Sequence, residues 1–323
     1  MKYRVSRREF MNGLGAFALA TVTLSPEGHA FAEPLLYPPV DLSYFDKPIS
    51  NGPAEIRIGY AAITWGDNEL QAIEDISSLG FRGIQLRANA IKDFEARQLR
   101  DILEQHRLTM VALSSGNVHI DPAQKAADIA LHTSNARFLH DAGGLYLQLV
   151  DQEPKSQQIT AADYKYLGAV LTEIGKRTAD LGIVLGYHNH MNSLGERPEG
   201  LARLLDAADP RYVKFELDIA HCVEGGGDPV KAIQQYRDRL LFLHIKDVED
   251  LEPGPGNSKP NQRFVELGRG KVDIAGVFKT LHAINFRGWA IVELDRVPDN
   301  SRTPKDSAII SKKYLEDKLG VTL

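Results

Sequence analysis

The residues best able to do chemistry cluster in four short segments of the second half of the chain. His188 and His190 lie in GYHNH, Glu216, Asp218 and His221 in FELDIAH, His244 in FLHIKD, and Glu293 in AIVELD. Imidazole and carboxylate together make a ligand set for a divalent cation. Each segment closes an apolar run, and carboxylates inside runs such as VKFELDI are costly to bury unpaired. A salt bridge to Lys246 or Arg87 is the non-metal explanation for Asp218 and Glu293.

From Glu55 onward, short strand-like runs alternate with longer helical ones, the pattern of a parallel α/β fold. The strand candidates are IRIGYAA, GIQLR, LTMVALS, GLYLQLV, IVLGYHNH, VKFELDI, LLFLHIK and AIVEL. Amphipathic stretches separate them, with Asp or Thr at several starts and Gly80, Gly143 and Gly182 past the ends. Eight such units closing on themselves predict a (β/α)8 TIM barrel. An open nucleotide-binding sheet is the competitor, but GYAAITWG after the first strand carries no Gly-rich phosphate loop. In a barrel the C-terminal strand ends meet at one mouth. His188, Asp218, His244 and Glu293 fall at or just beyond the ends of strands five to eight, which makes them the expected metal ligands, with positions left open for substrate oxygens. Glu216 shares a face with Asp218, and His190 shares one with His188 if strand five runs that far.

The remaining polar groups near these ends are Lys246, Asp247 and Trp65. Lys246 and Asp247 read equally as an ion pair at the mouth or as catalytic groups. Trp65 reads as rim packing, with stacking on a sugar face as the alternative. The Pro/Gly-rich stretch VEDLEPGPGNSKPNQRFVELGRG after strand seven reads as a lid loop.

A net charge of -5 and a pI near 6.1 give no pull toward nucleic acid or anionic membrane. The lone Cys222 excludes an intrachain disulfide and a Cys-rich zinc site. At the N-terminus, SRREFM carries paired arginines, an uncharged GLGAFALATVTL follows, and Ala30-Phe31-Ala32 offers a cleavage site, the pattern of a twin-arginine export signal over residues 1–32. The alternative is a basic amphipathic tail. The apolar segment is well short of the roughly 20 residues that span a bilayer, so a stable membrane anchor is not expected. Residues 33–54 then form an extension and 55–323 the barrel, in a periplasmic or secreted protein whose partners include the twin-arginine machinery.

From Ile56 to Glu293 the chain resembles the xylose-isomerase-like barrels of the sugar phosphate isomerase/epimerase type. Their D-x-x-H, H-x-K-D, G-x-G-x-hydrophobic-D and V-E segments read here as Asp218 to His221, His244 to Asp247, Gly268 to Asp273 and Val292-Glu293. The resemblance implies one divalent cation (Mn, Co, Mg or Zn) held by a Glu on strand five, the Asp of strand six, the His of strand seven and the Glu of strand eight. This chain departs at strand five, where His188 stands at the usual Glu position and Glu216 becomes a candidate for the missing carboxylate. On strand two, where some members carry a proton-transferring Glu, the chain offers Gln85 or Arg87. A glutamine takes no proton, which argues against a symmetric two-glutamate epimerase.

The expected chemistry is removal of a proton α to a carbonyl, with the metal stabilising the enediolate. Glu216 or His190 would serve as base, and His221 and Lys246 would orient hydroxyls or the oxyanion. The first expectation is an isomerase or epimerase of an unphosphorylated sugar or keto-sugar. The alternatives are a metal-dependent lyase or dehydratase, such as one eliminating from a 3-keto-glycoside, and a non-catalytic sugar-binding barrel. An AP endonuclease shares the barrel, but its three-zinc cluster needs ligands that the first three strands lack, and an acidic chain disfavours DNA. The expected partner is a small carbohydrate, without nucleic acid, and a homo-oligomer is compatible with the sequence.

Overall fold

A computed structural model describes residues 54–151, 158–252 and 261–323. The export signal expected over residues 1–32 and nearly all of the 33–54 extension lie outside the described residues. Seven strands come first in chain order: β1 Glu55–Ala61, β2 Gly83–Arg87, β3 Thr109–Val118, β4 Tyr146–Asp151, β5 Val184–His188, β6 Val213–Asp218 and β7 Leu240–Ile245. A hairpin of β8 Asp247–Leu251 and β9 Asn261–Val265 follows, and β10 Arg287–Val292 is the eighth barrel strand. All eight barrel strands pair in parallel with their neighbours, and β10 closes the ring between β7 and β1. This is the TIM barrel that eight alternating units predicted.

The helices start and stop where side-chain chemistry dictates. Asn68 accepts from Gln71 N at the start of α1 (Glu69–Ser78). After the short α2 (Ala90–Asp93) come α3 (Ala96–Gln105) and α4 (Lys125–Asp141). Thr160 and Asp163 form a reciprocal capping box on α5 (Ala161–Ala179), and Gly182 beyond it takes a left-handed φ of +81°. Next are α6 (Pro198–Ala207), a short α7 (Ile219–Glu224) capped by Asp218, and α8 (Pro229–Tyr236) capped by Asp228 with Pro229 at its first position. Asp273 caps α9 (Ile274–Ala283), and the Thr303/Asp306 box opens α10 (Pro304–Leu319). No described helix is long and apolar enough to cross a membrane.

Two apolar clusters hold these layers. The larger joins the outward faces of the strands to the helices, as with Ile84, Leu86, Leu147, Leu185, Phe215 and Leu243. The smaller contains Ala61, Val111, Phe242, Trp289 and Ile291. Phe242 precedes His244 by two residues, and Ile291 precedes Glu293 by two, so period-two alternation places this cluster on the same inward face, one layer below the polar strand ends. The polar site therefore rests on an apolar floor. Trp65 is 8 % exposed, donates from Nε1 to Asp75 Oδ2 at 2.9 Å and packs edge-on to Tyr60, so it is a packing residue rather than a sugar platform.

Candidate metal centre

Register brings the polar strand ends together. His188 on β5 pairs with Glu216 on β6, and Asp218 on β6 pairs with His244 on β7. The middle residue of HNH acts as a clamp. Asn189 donates from Nδ2 to the carbonyl of Asp218 at 3.1 Å and accepts from the Asp218 amide at 2.9 Å, fixing the end of β5 against that of β6. Strand β5 stops at His188, and His190 lies on the following turn with Nδ1 2.8 Å from the Met191 carbonyl.

Asp218 both caps α7 and faces the mouth. Its Oδ1 accepts from the amides of Ala220 and His221 at 2.8 and 2.9 Å. Its Oδ2 is buried without a hydrogen bond, 3.6 Å from His244 Nδ1, 3.8 Å from Lys246 Nζ and 3.9 Å from His221 Nε2. Glu293 Oε2 lies 2.7 Å from the same His244 Nδ1, which is also buried and makes no hydrogen bond. On the other side of the ring, His244 Nε2 lies 2.8 Å from both Gln85 Oε1 and Glu216 Oε1. Two acceptors at Nε2 require N–H there, so in the neutral ring the Nδ1 lone pair is directed at two carboxylates. That arrangement is repulsive unless a cation sits among the three groups. Asp218, His244 and Glu293 each place one ligand atom within 4.8 Å of the others, and a mixed carboxylate and imidazole donor set fits a divalent metal.

The electrostatics describe the same demand. Burial alone would lower His244, but the Glu216 and Glu293 carboxylates override it and hold the imidazole well above its ordinary range, so a proton fills the role when no metal does. Burial would raise Glu293 and Asp218, yet the groups facing them hold both well below the carboxylate range: His244 and Lys246 for Glu293, and for Asp218 the adjoining His221 imidazole together with the Lys246 ammonium. Burial together with the neighbouring His244 depresses His188 well below normal. His221, also buried, is lowered to about 3, with Asp218 only partly offsetting the effect. His221 therefore stays neutral in the folded protein near neutral pH.

Among the residues expected to ligate, the structure divides the set. Asp218, His244 and Glu293 converge, whereas His188 groups with Glu216 and His244 on one side and with His190 and His221 on another. Glu216 is fully buried behind the two imidazoles, 3.5 Å from His188 Nδ1, and accepts from Gln148 Nε2 at 2.8 Å. Lys246 points inward, 3.0 Å from Glu293 Oε1 and 2.5 Å from Asp295 Oδ1. Gln148 and Asp295 were not singled out in the sequence, although both are polar residues in or just after an apolar strand run.

Asp247 turns the other way, so the Lys246–Asp247 ion pair does not form. Its carboxylate accepts from four backbone amides, those of Val248, Gly268, Gly270 and Val272, at 2.9 to 3.1 Å. Side-chain-free backbone is needed there: a Cβ on Gly270 would meet Asp247 Oδ1 at 2.3 Å and Val248 O at 2.4 Å. The ELGRG turn is thus an anion nest already filled by the protein's own carboxylate. The stretch expected to be a lid loop carries the antiparallel strands β8 and β9, and residues 253–260 between them lie outside the described residues. Phe264 on β9 lies 4.0 Å from Lys246 Nζ at its ring centroid and 5.2 Å from the His221 ring, forming an apolar wall beside the centre.

Comparison with known proteins agrees with this architecture. The inosose dehydratase of Geobacillus kaustophilus (strain HTA426) is 25% identical over 291 residues, covering 80% of this chain and 94% of that protein. Among solved structures, the D-allulose 3-epimerase of Methylomonas sp. in complex with D-allulose superposes with a TM-score of 0.65 at 20% identity, over 83% of this chain and 98% of that one. The IOLI protein with a bound zinc atom gives a TM-score of 0.65 at 20% identity, over 81% and 97% of the two chains. A family model described as xylose isomerase-like TIM barrel matches residues 73–316. With that match spanning most of its length, the chain belongs to the xylose isomerase-like TIM barrel family.

Proposed function

We propose that this protein is a divalent-metal-dependent dehydratase or lyase that eliminates a β-substituent from an unphosphorylated polyhydroxy ketone. The observation that carries this over an epimerase is Gln85. On strand two, where a second proton-transferring carboxylate would stand, Gln85 is 4 % exposed and engages His244 Nε2, so the mouth has no symmetric pair of bases. The relatedness to an inosose dehydratase, named for a cyclic polyhydroxy ketone, favours elimination over the isomerisation expected first.

Asp218, His244 and Glu293 would hold the cation. Bound there, it would polarise the substrate carbonyl and acidify the adjacent C–H. Glu216, expected as base or fourth ligand, is read instead as a positioning group for the two imidazoles beside it. It stands behind His188 and His244 and orients them, as a carboxylate behind a metal-binding histidine does. The base falls to His190: its Nδ1 is engaged by the Met191 carbonyl, which leaves the Nε2 lone pair free. His190 Nε2 takes the α-proton, the β-carbon to oxygen bond breaks, and the same imidazolium returns the proton to the departing oxygen. Lys246 is kept charged, because Glu293, Asp218 and Asp295 more than offset the lowering effect of its burial. It therefore stabilises negative charge on the enediolate rather than transferring protons. His221, whose ring centroid is 4.1 Å from that of His190, backs the base and orients substrate hydroxyls.

The filled nest of Asp247 supports an unphosphorylated substrate, since the Gly-rich turn after strand seven has no free amides to offer a phosphate. The paired arginines of SRREFM support twin-arginine export of the folded protein to the periplasm or beyond. The test is to strip the protein with chelator, restore Mn, Co, Mg or Zn singly, and follow enone formation from inososes and 3-keto-glycosides. Metal-dependent enone formation supports the reading, and turnover undiminished in the stripped protein sinks it.

A further inference from the structure

Beside the Asp218, His244 and Glu293 centre lies a second convergence of ligand atoms, made wholly of imidazole. One ring nitrogen each of His188, His190 and His221 falls within 4.8 Å of the other two. The rings sit face to edge or tilted, with centroids 5.4 Å apart for His188 and His190, 5.7 Å for His188 and His221, and 4.1 Å for His190 and His221. His221 is fully buried, and neither of its nitrogens has a hydrogen-bond partner. Burying such a ring with both nitrogens unmet costs the desolvation of each. The neighbours leave further nitrogens unmet: His188 Nδ1 lies 3.5 Å from Glu216 Oε1 without a hydrogen bond, and His190 Nδ1 is taken by a backbone carbonyl, which leaves its Nε2.

We propose that His188, His190 and His221 form a second cation site, selective for imidazole-seeking cations such as Zn²⁺ or Ni²⁺, that shuts off the reaction when filled. Donor chemistry separates the two sites. Two carboxylates and one imidazole accept hard Mn²⁺ or Mg²⁺ as well as Zn²⁺, whereas three neutral nitrogens discriminate strongly against the hard ions. The charge balance allows both to be occupied, because Asp218, Glu293 and Asp295 face the single ammonium of Lys246 while Glu216 adds a fourth carboxylate against His244. A cation on the imidazoles takes the His190 lone pair, so inhibition rests on the assignment of His190 as base, while binding does not.

The experiment is a titration of chelator-stripped full-length protein with Mn²⁺ and separately with Zn²⁺, read by calorimetry and by metal analysis after gel filtration. The expected result is one tight equivalent of Mn²⁺ and two of Zn²⁺. His221→Ala, or His190→Gln at the half-buried position should the first variant fold poorly by circular dichroism, loses the second zinc and keeps the first. Asp218→Asn loses the manganese site and keeps one zinc. A single tight zinc in the wild type, or a second zinc that survives both imidazole substitutions, overturns the proposal. Elimination assayed separately on the Mn²⁺-loaded protein keeps the two claims apart: absent elimination with the second zinc present rejects the dehydratase reading and leaves the site standing.

Discussion

Substituting Glu216→Gln separates a base from a positioning residue. The change preserves shape and one acceptor oxygen but removes the charge behind His244 and His188. In the native protein that charge accepts from His244 Nε2 at 2.8 Å and from Gln148 Nε2 at 2.8 Å, inside a fully buried pocket. Hydrogen bonds to an ionised partner contribute about 1.5–3 kcal/mol against roughly 0.5–1.5 for neutral ones. Losing the difference, about 1–1.5 kcal/mol, is roughly five- to tenfold in an equilibrium constant, and outer-shell substitutions behind metal-binding histidines typically cost about 10–100-fold in metal affinity or activity. Competition for Co²⁺ between the protein and a chromophoric chelator reads the affinity directly. The expected outcome is a Kd weakened by about 10–100-fold, with turnover at saturating cation retained within about tenfold. An unchanged Kd accompanied by loss of turnover would refute the reasoning and make Glu216 the base.

Three other outcomes are expected. Lys246→Met leaves the buried Glu293 and Asp218, and the part-buried Asp295, without their cation, so the metal-free protein should lose about 3–5 kcal/mol in chemical denaturation, and Co²⁺ or Mn²⁺ should recover part of the loss. Asp247→Ala orphans four backbone amides and should cost about 3 kcal/mol or more, read as a lower denaturation midpoint with metal affinity little changed. The metal-free protein carries a proton on His244, whose pKa is raised, so cation binding at Asp218 and Glu293 should release about one proton and tighten as pH rises toward that pKa. Calorimetry in buffers of different ionisation enthalpy measures the release. The stabilisation that His244 lends the metal-free fold has the matching sign: it is complete below the unfolded pKa of about 6.5 and lost as pH rises through the folded one.

The barrel was legible because each strand is a short apolar run set off by capped helices, and because metal-binding residue types recur where those runs end. Period-two reasoning placed Asp218, His244 and Glu293 at one mouth. It reports a face and nothing finer, so it could not show that Glu216 lies on the far side of the His244 ring from Asp218 and Glu293. The same alternation that selected Glu293 extends to Asp295 two residues on, and the polar-in-apolar signal that selected Asp218 was equally present at Gln148 in GLYLQLV. The β8–β9 hairpin was hidden because DVEDL is acidic and lacks the aromatic and β-branched density of a strand. Asp247 ties it down by gathering the amides of Gly268, Gly270 and Val272, more than 20 residues further along the chain, together with that of its neighbour Val248.

The most direct test of a one-base, metal-dependent elimination is proton NMR of an inosose and a 3-keto-glycoside incubated with Mn²⁺-loaded protein in deuterated water. Loss of the α-proton signal together with an olefinic product or its enol tautomer is the predicted result. An inverted stereocentre or shifted carbonyl with no β-substituent lost would instead mark an epimerase or isomerase, and no exchange at all would mark a binding protein.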